Sequence, residues 1–225
     1  MDTPLLICDL DGTLVDSFQG IEQSLHRALA SMGLRPAEAI GRWIVGPPLD
    51  EILARAIGSR EPDVLSRARQ LFKETYDGGA CRLALAYEGV DAMLHDVLAG
   101  GGRLVLATNK RLQPTAMILE CRGWKDLFSA VETVDSRAGV ARGKPEILAD
   151  ILREAANRSG SFYLGDTPAD ASAAVQVGIP FLYAAWGGGV DRVEGAAVHA
   201  QHPAAVAQIV FSGGGRSPVP DGEQP

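Results

Sequence analysis

The second half of the chain alternates short apolar runs with longer stretches of helical periodicity. Alternation of this kind is typical of a parallel β-sheet with helices packed on both faces. The pattern therefore predicts an α/β fold built on a parallel, Rossmann-like sheet. The predicted strands are 103–107, 128–134, 162–165, 180–183 and 196–199, and the predicted helices are 89–100, 113–123, 144–156, 168–177 and 203–211.

An apolar run at 4–9 predicts one more buried strand, which ends abruptly at Asp9. A second carboxylate, Asp11, follows closely, and Gly12 and Thr13 turn the chain. Two carboxylates this close repel each other, and open α/β sheets bind ligands at the C-terminal ends of their strands. A divalent cation would relieve the repulsion and leave one carboxylate as a nucleophile. Taken alone, Asp-Gly-Thr would favour a simpler interpretation, an Asp-rich turn after a strand.

Residues 18–82 have a different character, with helical periodicity and no clear strand. One crossover between parallel strands needs far fewer residues than this. We therefore expect an all-helical domain at 18–82, inserted into a core domain of 1–17 and 83–212. The alternative is that these are simply the crossover helices of the sheet. The stretch 213–225 is rich in Gly, Pro and Ser without an apolar period, and is predicted to be a disordered tail.

Composition excludes several classes of protein. The formal net charge of −7 argues against a nucleic-acid partner. No apolar run approaches the length of a membrane span, so no membrane partner is expected. The three cysteines are widely spaced and predict neither a disulfide framework nor a zinc site, which favours a cytoplasmic location. Monomer and homodimer both stay open.

Polar residues follow several predicted strands or begin the next helix. In a parallel sheet these positions meet at one edge, so residues far apart in sequence would converge. Each has a simpler local interpretation as a helix cap, helix start or turn residue. Four such positions in a fixed order favour a common site. They are Asp9; Thr108, Asn109 and Lys110; Lys144; and Asp166 with Asp170.

The same positions resemble the four motifs of the haloacid dehalogenase superfamily. Residues 9–17 match its first motif, Asp-x-Asp-Gly-Thr followed by an apolar pair and Asp-Ser, without a gap. Thr108 matches the second motif, Lys144 the third, and the Gly-Asp-x-x-x-Asp pattern at 165–170 the fourth. The resemblance covers 5–212. It implies that the insert is a helical C1 cap over the active site and is most similar to phosphoglycolate-phosphatase-like members.

The resemblance also implies a role for each residue. Asp9 would be the nucleophile that becomes an aspartyl-phosphate, and Asp11 the general acid and base. Thr108 and the amide of Asn109 would bind phosphoryl oxygens. Lys144 would offset the negative charge around Asp9.

A metal site and substrate contacts are expected as well. Mg²⁺ would be held by Asp9, Asp166 and the main-chain carbonyl of Asp11, with Asp170 acting through a water or by orienting Asp166. Lys110 would contact the substrate, since Thr-Asn-Lys is the form of this motif in the phosphoglycolate-phosphatase-like relatives. Two arginines, Arg42 and Arg82, are further candidates for binding a substrate anion.

The expected function is a Mg²⁺-dependent phosphomonoesterase acting on a small-molecule phosphomonoester such as phosphoglycolate. The alternatives are a phosphosugar mutase of the β-phosphoglucomutase type and a nucleoside monophosphate 5′-phosphatase. A haloacid dehalogenase is disfavoured because those relatives lack the second motif-one carboxylate, here Asp11. A phosphonate hydrolase would need a cap lysine, and Lys73 lacks the expected local pattern. A non-catalytic binding protein would be expected to have lost one of the motif residues.

Overall fold

The computed structural model describes residues 3–137, 142–155, 160–187 and 193–212. Its strands form a parallel sheet and a separate two-stranded ribbon, so the predicted α/β fold is confirmed. The predicted tail at 213–225 lies outside the described residues. The strands are β1 (Leu5–Cys8), β2 (Val15–Asp16), β3 (Leu85–Ala86), β4 (Arg103–Thr108), β5 (Ala130–Thr133), β6 (Ser161–Gly165), β7 (Phe181–Ala184) and β8 (Val198–Ala200).

Helices flank the sheet and fill the long connection between β2 and β3. Within the described ranges, none is long and apolar enough to cross a membrane. The helices are α1 (Phe18–Ser31), α2 (Leu49–Ile57), α3 (Pro62–Tyr76), α4 (Val90–Ala99), α5 (Leu112–Arg122), α6 (Lys144–Glu154), α7 (Pro168–Val177) and α8 (Ala204–Phe211).

Successive side chains of the central strand pack on opposite faces of the sheet. In β1, Leu6 and Cys8 join the larger apolar core, whereas Leu5 and Ile7 join the smaller one. All four side chains are buried. A strand covered on both faces reads as a continuous apolar run, and this is why the sequence pattern at 4–9 located it.

The strand order places the end of β1 at a branch point. The described sheet runs β5-β4-β1-β6-β7-β8, with β1 hydrogen-bonded to β4 on one side and β6 on the other. From β1 the chain reaches β4 first and later crosses to β6. The connections therefore leave in opposite directions and open a crevice at the C-terminal ends of these strands.

Residues 18–83, which we call the helical segment, leave and rejoin the core side by side. The two connecting stretches pair as the antiparallel ribbon β2–β3, with Val15 opposite Ala86 and Asp16 opposite Leu85. Inside the segment, α1 packs against α3, and α2 against α3. The two-residue strands of the ribbon are too short for periodicity to reveal, and the sequence analysis did not anticipate them.

Candidate active site

The crevice brings most of the predicted site residues together. Asp9 directly follows β1, Thr108 is the last residue of β4, and Asp166 directly follows β6. Lys144 is the first residue of α6, and Asp170 lies in the first turn of α7. All five side chains are buried. Residues as far apart in sequence as Asp9 and Asp170 thus meet, because parallel strands end at one edge of the sheet.

Lys144 lies between two of the carboxylates. Its Nζ donates to Asp9 Oδ1 at 2.7 Å and lies 3.0 Å from Asp170 Oδ1. Burial disfavours the charged ammonium, but the carboxylates of Asp170 and Asp9 outweigh it and raise the pKa of Lys144. The lysine is therefore a permanent cation at this edge of the sheet.

Asp9, Asp166 and Asp170 form an acidic cluster, with one oxygen of each within 4.8 Å of the others. Burial, together with the negative charges of Asp9 and Asp170, raises the pKa of Asp166 to about 8. Burial also raises the pKa of Asp9, in spite of the opposing effect of Lys144. Three carboxylates lie close together with the cation of Lys144 beside them. Such a set of oxygen ligands suits a hard divalent cation.

Asp170 differs from the other two carboxylates because it is fully hydrogen-bonded. Burial opposes its ionisation, but Lys144 and hydrogen bonds from Thr167 and Tyr163 lower its pKa. The Tyr163 hydroxyl donates to Oδ1 at 2.7 Å, and Thr167 forms a capping box with Asp170 at the start of α7. Asp170 therefore contacts Lys144 directly and is the member of the cluster whose ionised form is favoured.

The turn after β1 shapes the position of Asp166. Gly12 has φ of 85°, and a Cβ there would lie 2.1 Å from Asp166 Oδ2. The next residue, Thr13, donates from Oγ1 to Asp166 Oδ1 at 2.9 Å. Only glycine leaves room for the carboxylate at this point. Sequence reasoning missed the contacts of Thr13 and Tyr163. The available signal was that each lies close to a motif residue: Thr13 follows Asp11 and Gly12, and Tyr163 precedes Leu164 and Gly165.

The Asp11 carboxylate is not a member of the acidic cluster and is paired with Lys110. Lys110 Nζ lies 3.1 Å from Asp11 Oδ2 and 2.6 Å from the hydroxyl of Tyr76, which belongs to α3. Burial opposes the charge of Lys110, but Asp11 and Tyr76 raise its pKa. Asp11 Oδ1 is buried and has no hydrogen-bond partner within the described ranges. Lys110 thus ties a core carboxylate to a residue of the helical segment.

Thr108 and Asn109 lie at the end of β4. Thr108 Oγ1 accepts a hydrogen bond from the Lys110 amide at 3.2 Å. The side chain of Asn109 donates to the carbonyl of Gly46 in the helical segment at 3.5 Å. Asn109 and Lys110 are thus both in contact with that segment.

The two candidate arginines lie in different places. Arg42 lines the crevice, but its guanidinium binds both carboxylate oxygens of Asp16, at 2.6 and 2.8 Å. Its side chain is 55% exposed. Arg82 is exposed on the short helical turn after α3. Arg42 therefore lies at the crevice with its charge paired to Asp16, whereas Arg82 is not among the residues that line it.

The chain is similar to known proteins in sequence and in fold. Residues 6–184 match the protein family described as haloacid dehalogenase-like hydrolase. The phosphoglycolate phosphatase of Psychrobacter arcticus is 33% identical over 146 residues, which are 60% of this chain and 63% of that protein. A phosphoglycolate phosphatase of Cereibacter sphaeroides is 31% identical over 186 residues, which are 79% of this chain and 83% of that protein.

Another relative carries a different name. The tyrosine-protein kinase PtkA of Mycobacterium tuberculosis is 32% identical over 82% of this chain and 63% of that protein. The match therefore spans less than two thirds of both the Psychrobacter and the Mycobacterium relatives. A solved haloacid dehalogenase-like hydrolase of Streptococcus pneumoniae has the same fold. Its TM-score is 0.77 at 22% identity, covering 92% of this chain and 97% of that one.

Proposed function

The chain belongs to the haloacid dehalogenase-like hydrolase family, and from this premise we propose that it is a Mg²⁺-dependent phosphomonoesterase. Its substrate is a small phosphorylated metabolite, and the names of two relatives make phosphoglycolate a first candidate. The observation that carries the proposal is the contact of Lys144 with Asp9 beside Asp166 and Asp170. A nucleophile, a fixed cation and a set of oxygen ligands are the parts that phosphoryl transfer needs.

Asp9 attacks phosphorus and forms an aspartyl-phosphate. Lys144 holds its Oδ1, which fixes the carboxylate and leaves Oδ2 to attack. In this proposal Thr108 Oγ1 and the main-chain amide of Asn109, at the end of β4, bind the phosphoryl oxygens. The cation of Lys144 also reduces repulsion between the acidic cluster and the incoming phosphate.

Asp11 is the general acid and the general base. It gives a proton to the departing alkoxide, and then takes one from the water that hydrolyses the aspartyl-phosphate. Its contact with Lys110 fixes Oδ2, and Oδ1 stays available for the leaving-group oxygen. Lys110 in this proposal orients Asp11 as well as facing the substrate.

The acidic cluster fits Mg²⁺, with Asp9, Asp166 and Asp170 as the side chains that would hold it and the carbonyl of Asp11 as a further oxygen. The bound ion would neutralise negative charge on the phosphoryl group. The raised pKa values of Asp9 and Asp166 support this assignment, because burial and mutual repulsion disfavour both charges without a cation.

We further propose that residues 18–82 form a cap domain over the core domain of 1–17 and 83–212. The ribbon β2–β3 would be the hinge, since both connections between the two parts run through it. A cap that closes over the crevice would exclude water during the first transfer and carry the contacts that choose the substrate.

A phosphate-release assay tests the proposal. Small phosphomonoesters are incubated with the protein in Mg²⁺ and in EDTA, with Asp9→Asn as the blank. Release that depends on both Mg²⁺ and Asp9 is expected. No release, with transfer to a sugar hydroxyl or a protein tyrosine instead, would show that the acceptor is not water, and would replace the phosphatase by a mutase or a kinase.

A further inference from the structure

The turn after β7 packs closely on two parts of the core that carry site residues. This turn comprises Ala185–Gly187, and Gly187 lines the crevice. A Cβ at Gly187 would lie 2.1 Å from the carbonyl oxygen of Gly12 and 2.8 Å from the Cβ of Asp166. Glycine therefore allows the main chain of this turn to approach both the turn after β1 and the acidic cluster.

The indole of Trp186 holds the turn after β1 at one atom. Its Nε1 donates a hydrogen bond to the main-chain carbonyl of Thr13 at 2.8 Å. Thr13 is fully buried, and a buried carbonyl that loses its partner is costly. Because the indole nitrogen is a donor only, it suits a carbonyl oxygen at this distance.

The same threonine contacts the acidic cluster through its side chain. Thr13 Oγ1 donates to Asp166 Oδ1 at 2.9 Å, so hydrogen bonds run from Trp186 through Thr13 to a carboxylate of the cluster. Asp11, whose carbonyl is assigned to the metal above, lies two residues before Thr13 in the same turn. A group that holds Thr13 in place therefore limits where two of the metal's oxygen ligands lie.

We propose, building on the Mg²⁺ site of the proposed function, that Trp186 is a positioning residue for that site. It holds the carbonyl of Thr13, and Thr13 in turn directs the carboxylate of Asp166. Groups that hydrogen-bond to metal ligands from behind keep them oriented, and losing one commonly lowers metal affinity tenfold or more. Since Trp186 acts through Thr13, its loss should weaken the binding of Mg²⁺ itself.

Calorimetry with MgCl₂ alone tests the proposal on the intact chain. Trp186→Phe keeps an aromatic ring and removes the N–H donor, and we expect the Kd for Mg²⁺ to rise by about tenfold. Trp124→Phe is the matched control, because the buried Trp124 indole donates to Asp91 Oδ1 at 2.6 Å and neither residue lines the crevice. The control should leave the Kd unchanged. Asp166→Asn should abolish the binding heat, which locates the ion at the acidic cluster.

A second measurement keeps Trp186 and does not depend on the folding of Trp186→Phe. The chain has three tryptophans, so Trp43→Phe combined with Trp124→Phe leaves Trp186 as the sole source of tryptophan emission. Mg²⁺ fixes Asp166 and, through it, Thr13, and should change that emission with the half-saturation concentration that calorimetry gives for this double variant. Emission that stays constant while calorimetry shows Mg²⁺ binding would overturn the proposal.

The outcomes separate this inference from the proposed function. Equal Kd values in the wild type and Trp186→Phe would overturn the positioning role while leaving the metal site standing. An equal loss of affinity in Trp124→Phe would also overturn it, since any buried indole hydrogen bond would then have the same effect. No Mg²⁺ binding by the wild type, or undiminished binding in Asp166→Asn, would overturn the metal site itself and the inference built on it.

Discussion

The edge of the sheet and the helical segment face each other across the same site, but they contribute opposite kinds of side chain. The sheet edge supplies buried charge, in the acidic cluster and Lys144. The helical segment supplies mainly apolar side chains and the Tyr76 hydroxyl. The sheet edge therefore provides the residues for the chemical step, and the helical segment provides residues that select the substrate. Changes at the sheet edge should affect every substrate, whereas changes in the helical segment should affect one substrate relative to another.

Removing the cation at the sheet edge should have the largest effect. Lys144→Met leaves Asp9 and Asp170 without the ammonium that contacts both, so the cluster repels an incoming phosphate. We expect turnover to fall by about a thousandfold for all substrates. Steady-state phosphate release measures it, with the exposed Lys125→Met as the control. A loss of turnover confined to one substrate would contradict the assignment of the chemical step to the sheet edge.

A smaller effect is expected from Asp166→Asn, and it has a signature in stability. Because the pKa of Asp166 is raised in the fold, the metal-free protein binds a proton there that the unfolded chain releases, and its stability falls as pH rises toward about 8. The variant should lose less stability over that range and lose the Mg²⁺-dependent rise in Tm. Thermal melts with and without Mg²⁺ measure both, and Asp96→Asn on the exposed face of α4 is the control. An undiminished Mg²⁺ shift would remove Asp166 from the metal site.

These expectations rest partly on what the sequence already contained. Asp9, Thr108 and Asp166 could be brought together from the sequence, because the ends of parallel strands share an edge whatever the side chains do. The contacts that hold these side chains in place could not be predicted from the sequence. Thr13 and Tyr163 act through hydrogen bonds whose direction depends on the finished turn and on strand orientation.

The helical segment was harder to predict for a physical reason. Helical periodicity indicates that a face is apolar, but it does not say whether that face packs on the core or lines a cavity. The partner of Lys110 illustrates this, because Tyr76 lies 34 residues away in α3 and its period fits an ordinary core residue. The Arg42 prediction rested on charge alone and did not anticipate Asp16.

Tyr163→Phe tests whether a hydrogen bond to Asp170 affects the metal site at the sheet edge. The change removes one hydrogen bond to Asp170 Oδ1 and keeps the ring under Lys144. We expect kcat to fall by about tenfold at most, with KM nearly unchanged and a higher Mg²⁺ concentration for half-maximal activity. Tyr163 is a positioning residue, so an unaltered Mg²⁺ dependence would leave it only a packing role.

Arg42→Gln should have the smallest effect. The guanidinium is exposed and bound to Asp16, and exposed ion pairs contribute little. We expect KM to change by less than about twofold. If KM rose strongly at constant kcat for anionic substrates alone, Arg42 would contact the substrate after all, and the helical segment would contribute charge as well as apolar walls.

Acid quenching tests whether Asp9 carries the phosphoryl group during turnover. The protein is mixed in Mg²⁺ with a phosphomonoester that it hydrolyses, and the reaction is quenched in acid within one turnover. The protein is then digested and analysed by mass spectrometry. We expect one phosphoryl group on the peptide that contains Asp9, and none in Asp9→Asn, which should also be inactive. Phosphate release at an undiminished rate from Asp9→Asn would contradict it.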